Sequence, residues 1–67
     1  MDLNRLQYFL VVCQTEHMKR ASEILGISSP AISKALKILE EEIGHKLIIN
    51  ERRGIKITDK GRELARL

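Results

Sequence analysis

Ser28, Ser29, Pro30, Ser33, Lys34 and Lys37 bring three hydroxyls, a proline ring and two ammonium groups together in the stretch SSPAISKALK. No histidine or carboxylate lies within it to activate a serine, so the chemistry on offer is recognition. The hydroxyls can donate or accept hydrogen bonds, and the lysines can meet an anion. A second set, Arg52, Arg53 and Lys56 in ERRGIK, supplies three more cations, and Lys19 and Arg20 form a weaker third. Taken singly, each set has a plainer reading: Ser28 and Ser29 as helix caps, Arg52 and Arg53 as solvated charge. The conjunction favours recognition, because Ser33 is not needed for capping and the lysines share its face.

Other chemistries lack residues. No nucleophile stands at a useful spacing from a base, no glycine-rich phosphate loop is present, and the carboxylates cluster only in Glu40, Glu41 and Glu42. The reading is therefore not an enzyme. His17 and His45 are far apart in sequence, and Cys13 is the only cysteine, so neither a metal site nor an internal disulfide is expected, and no cofactor is called for. Tyr8 and Phe9 are the only aromatics and belong to apolar helix faces, which disfavours stacking on single-stranded RNA.

With 67 residues the chain makes one domain near the lower size at which a single core suffices. Its 43% hydrophobic and 31% charged composition is that of a globular domain. No apolar run approaches the roughly 20 residues that cross a bilayer, and MDLNRLQYFLVV lacks the features of a secretory signal. A cytoplasmic location without membrane contact is expected. The net charge is +3 and unevenly spread. Lys19, Arg20, Lys34 and Lys37 against Glu23 make residues 18 to 39 basic, and Lys46, Arg52, Arg53, Lys56, Lys60 and Arg62 against Glu51 and Asp59 do the same for 45 to 62.

The elements that must carry these groups follow from periodicity. Leu3, Leu6, Phe9, Leu10 and Cys13 form one apolar stripe of a first helix, with Tyr8, Val11 and Val12 on another side. That second face points to another subunit as much as to the core. Met18, Ala21 and Leu25 define a short second helix ended by Gly26. Ser28 or Ser29 caps a third, Pro30 suits its first turn, and Ile32, Leu36, Leu39 and Ile43 give it a narrow apolar stripe before Gly44. Glu40 to Glu42 oppose the dipole at its end and have no evident stabilising reason there, so they either answer a cation elsewhere or are simply solvated. KLII at 46–49 and GIKI at 54–57 read as a hairpin around Asn50, Glu51, Arg52 and Arg53. Thr58 caps a fourth helix bearing Leu64 and Leu67, in which Gly61 costs about 1 kcal/mol relative to alanine. That helix is expected either to be the start of a longer one or to be completed by a partner.

Two helices around the turn in ASEILGISSPAIS, followed by a basic-tipped hairpin, specify a mainly α winged helix-turn-helix: three helices, a two-stranded wing and the start of a fourth helix. In such a unit the third helix, about 28–43, enters the major groove of double-stranded DNA, and small side chains at its start approach base edges. Arg52, Arg53 and Lys56 then reach phosphate or the minor groove. The rival is a winged-helix module that binds protein and not DNA.

The runs RLQYFLVV, RASEILGISSPAISKALKILEEEIGHKLI and RRGIKITDKG resemble the N-terminal domain of LysR-type transcriptional regulators over essentially the whole chain. Ala21, Leu25, Ser28, Pro30, Ala31, Ser33, Leu39, Glu40, Glu42, Gly44, Leu47, Arg53, Thr58 and Gly61 fall where that pattern expects them. The resemblance implies a DNA-binding domain over residues 1–57 and a linker or dimerisation helix beginning at 58–67. It further implies a homodimer or higher homo-oligomer on an interrupted inverted repeat, and a small-molecule effector acting only through a separate C-terminal domain. Tyr8, Val11, Val12, Leu64 and Leu67 are then candidates for the subunit contact. The chain departs from the family at Ser29, usually glutamine, at Asn50, usually arginine, and at Ile48, usually phenylalanine. His17 stands where a capping serine is common.

Overall fold

Each helix start carries the residue that chemistry asks for, with one exception. In a computed structural model describing residues 2–67, α1 (Leu3–Thr15) is capped by Asp2, whose carboxylate accepts from Asn4 N at 2.8 Å. The exception is α2 (Met18–Leu25), where His17 occupies the cap position without a side-chain hydrogen bond to the helix. Ser28 caps α3 (Ser29–Ile43) by accepting from Ala31 N at 3.3 Å. Between α2 and α3, Gly26 takes φ +67° to close the turn. Ser22 braces it: its carbonyl accepts from Gly26 N and Ile27 N, and its hydroxyl donates to the Ile27 carbonyl. The angle between the two helices is therefore set by backbone and hydroxyl bonds as well as by packing.

Strands β1 (Ile48–Glu51) and β2 (Gly54–Ile57) pair antiparallel, Ile48 opposite Ile57 and Glu51 opposite Gly54, leaving Arg52 and Arg53 alone at the turn. The first strand starts two residues later than KLII implies. Leu47 is buried in the core ahead of the strand, while Asn50 and Glu51 continue the ladder instead of forming the tip. Thr58 then caps α4 (Asp59–Ala65), accepting from Gly61 N at 3.0 Å and donating to the Lys46 carbonyl at 2.7 Å. Leu67 lies beyond that helix and is fully exposed.

One core joins these elements: Phe9, Val12, Ala21, Ile32, Leu36, Leu39, Leu47, Ile48, Ile55 and Ile57. Helix α1 packs on both α2 and α3. The buried line of α1 consequently runs between its two apolar sets, through Phe9 and Val12, and Leu3 is left 79% exposed. This corrects the assignment of Val12 to a subunit contact, because its side chain is 0% exposed within the chain's own core. Tyr8, Val11 and Leu64 are only partly covered. The whole is a mainly α winged helix-turn-helix.

Candidate nucleic-acid interface

Helix α3 presents opposite faces to the core and to solvent. Ile32, Leu36 and Leu39 are buried, while Pro30, Ala31, Ser33, Lys34 and Lys37 are exposed. Its first turn is therefore an uncharged, small-tipped end with two cations one and two turns behind, a shape that can enter the major groove to base-edge distance. Ser28 uses an acceptor lone pair on Ala31 N and keeps its hydroxyl proton for another partner. Ser29 is half-buried, so its reach is shorter than that of Ser33.

The wing places Arg52 and Arg53 at its turn, both exposed, and Lys56 on the outward face of β2 opposite Ile49. Lys19 and Arg20 are exposed on α2. The basic groups expected from the sequence are thus all solvent-facing, divided among α2, α3 and the hairpin. Between α3 and β1 runs a groove of about 510 Å³, lined by Ser33, Leu36, Lys37, Glu40, Lys46, Ile48, Ile49 and Asn50.

That groove contains two residues, Glu40 and Lys46, that were not among the binding residues expected from the sequence. Glu40 accepts from Leu47 N at 2.7 Å and Ile48 N at 3.2 Å through one oxygen, and its other oxygen lies 4.0 Å from Lys46 Nζ. The glutamate that helix electrostatics disfavours is therefore the clamp between the third helix and the first strand, and Lys46 stands beside it. A signal was present: a carboxylate at the wrong end of a helix macrodipole implies a compensating partner. Glu42 also has one, lying 3.7 Å from Arg5 Nη1.

A third bond secures the hairpin from below. Glu16, in the left-handed conformation at φ 53°, offers its carbonyl to Ile55 N at 2.9 Å. At Gly54 a Cβ would come within 2.8 Å of that same carbonyl oxygen. The wing can lie this close to α1 only because residue 54 has no side chain. In the cavity that Cys13 lines with Glu16 and Arg62, burial pushes its thiol up, an effect that Arg62 partly offsets and Glu16 adds to. His17 and His45 lie on different connections, before α2 and after α3. No helix among the described residues is long and apolar enough to cross a membrane.

Comparison with known proteins places this geometry among bacterial regulators. The family model for the bacterial regulatory helix-turn-helix protein, lysR family, matches residues 3–62. The HTH-type transcriptional regulator BudR of Klebsiella aerogenes is 43% identical over 61 residues, which cover 91% of this chain and 43% of BudR. The chain spans less than half the length of the curated relatives it matches. A crystal structure of a LysR-family transcriptional regulator from Eggerthella lenta superposes with a TM-score of 0.87 at 36% identity, covering 96% of this chain and 91% of that one. The structure of BenM_DBD in complex with its catB site 1 DNA superposes with a TM-score of 0.92 at 32% identity, covering 98% of this chain and 74% of that one.

Proposed function

This chain belongs to the lysR family of bacterial regulatory helix-turn-helix proteins, and from that membership we propose that it is the sequence-specific DNA-binding domain of a transcription regulator. The observation that carries the reading is the exposed, uncharged first turn of α3, with Ser33 and Lys34 outward and a basic-tipped wing beside it. Ser28, Ser29, Pro30 and Ser33 address base edges and the nearest phosphates. Lys34 and Lys37 reach guanine or phosphate, and Arg52, Arg53 and Lys56 grip the flanking backbone or minor groove, with Lys19 and Arg20 as weaker contacts.

The domain works as a homodimer on an interrupted inverted repeat. Two recognition helices related by a two-fold axis meet two half-sites about one helical turn of DNA apart. Tyr8, Val11 and Leu64, partly covered, and Leu67, exposed, remain available for contact with a second copy. Selection from a random duplex library at near-physiological salt tests both claims. Enrichment of a two-fold-related motif supports a dimeric reader. Salt-sensitive but unselective retention removes the specificity, and no retention overturns the DNA-binding reading.

A further inference from the structure

The groove between α3 and β1 separates the two surfaces assigned to DNA. If α3 lies in the major groove while the wing tip reaches the adjoining minor groove, the DNA strand between those grooves must pass across it. What the groove offers that strand is distinctive. Lys37 stands on its helix side, Lys46 and Asn50 on its strand side, and Ser33 at its edge. Its one carboxylate, Glu40, is withdrawn: the side chain is 13% exposed and one oxygen already accepts from two backbone N–H groups. The Lys46 side chain, by contrast, is 79% exposed, with its ammonium 4.0 Å from the second Glu40 oxygen. An ammonium has three donors, and the distant, sunken glutamate leaves at least two of them for an outside acceptor.

We propose that Lys46, with Lys37 across the groove, seats one backbone phosphate of double-stranded DNA, and that Glu40 is a positioning residue that holds the Lys46 segment against the recognition helix. This rests on the DNA-binding reading and adds a contact belonging to neither the recognition turn nor the wing tip. A single phosphate oxygen pair can accept from Lys46 and Lys37 together, and the Asn50 amide adds a neutral donor. Such a contact reads no base. It fixes how deeply α3 sits and the angle at which the wing descends.

The test compares the natural protein with K46Q and with K60Q, whose lysine lies on α4 within 3.5 Å of Glu63 and away from the groove. Affinity is measured against salt on a selected duplex and on a scrambled one. Loss of one phosphate contact lowers the log-log salt slope by about 0.9. K46Q, which leaves Lys37 at the phosphate, is expected to show a decrease of up to that size on both duplexes, weakening both by the same factor, while K60Q keeps a slope near that of the natural protein. A duplex scanned with single neutral methylphosphonate linkages then locates the phosphate, as the one linkage that weakens the natural protein more than it weakens K46Q. An unchanged K46Q slope, or a penalty for K46Q that is additive at every linkage, overturns the phosphate seat and leaves DNA binding intact. If the natural protein binds neither duplex in a salt-dependent way, the DNA-binding reading fails first. Thermal unfolding of K46Q at the natural temperature excludes a folding artefact.

Discussion

At the scale of single residues, the proposed interface divides into groups that position and groups that specify. Ser33 is exposed on the outer face of α3 and plays no part in capping. Ser33→Ala should therefore narrow the gap between selected and random duplexes by about 1–3 kcal/mol, as loss of a base contact does. Lys34→Ala should act in the same direction. Arg53→Ala, at the wing turn, should weaken both duplexes alike. Competition titrations on the two duplexes separate these outcomes, and equal losses from all three variants would refute the division. Glu40 makes its contribution within the protein. Glu40→Ala leaves Leu47 N and Ile48 N without their acceptor and should cost about 1.5–3 kcal/mol in urea unfolding, the range for hydrogen bonds to a charged group. Glu40→Gln, which keeps an acceptor oxygen, should recover part of that loss.

At the scale of elements, neighbouring segments reverse what local propensity implies. Gly61 sits inside α4, where replacement by alanine should stabilise by about 1 kcal/mol on helix propensity alone. Its position is buried, however, and an added Cβ would collide with the Leu47 carbonyl and approach Ile57 Cγ2 to 2.8 Å. Gly61→Ala is therefore expected to destabilise by about 1–3 kcal/mol, the usual range for overpacking, with the denaturation midpoint reporting the sign. The wing is similarly held from outside. Its two strands would be marginal as an isolated hairpin, but Ile55 N bonds to α1's capping residue Glu16, and Thr58 joins the hairpin's end to Lys46 and Leu47. Cys13 adds a pH dependence. Burial raises its pKa, so the folded state retains the thiol proton after the unfolded chain has lost it. Stability contributed this way is complete below the ordinary thiol range and falls as pH rises through it. Unfolding midpoints compared between neutral and strongly alkaline buffer, with Cys13→Ala as reference, should show a smaller alkaline loss in the variant.

At the scale of the whole molecule, binding is a summed electrostatic effect. If about six phosphates are neutralised, the log-log slope of affinity against salt should be near roughly −5 on B-form DNA. A slope close to zero would favour the protein-binding rival, and fluorescence anisotropy over a fourfold salt range can tell them apart. Much of this molecule was already written in the chain. Ser28 and Thr58 lie at helix starts, Gly26 and Gly44 at left-handed stops, and the stripe of Ile32, Leu36 and Leu39 faces inward. These features depend on contacts within a few residues, which spacing alone encodes. The outward face of α3 followed from the same stripe, and with it the candidate recognition residues. Tertiary structure decided the rest. It set which side of α1 is buried, because a helix apolar on two sides is oriented only by the elements packed on it, and so it removed Val12 from the subunit contact. It moved the first strand to Ile48–Glu51, because the Glu40 clamp and the burial of Leu47 fix where the ladder begins. It also placed Lys46 across one groove from Ser33 and Lys37. Such partners are distant in sequence, and only the packed backbone determines which of them meet.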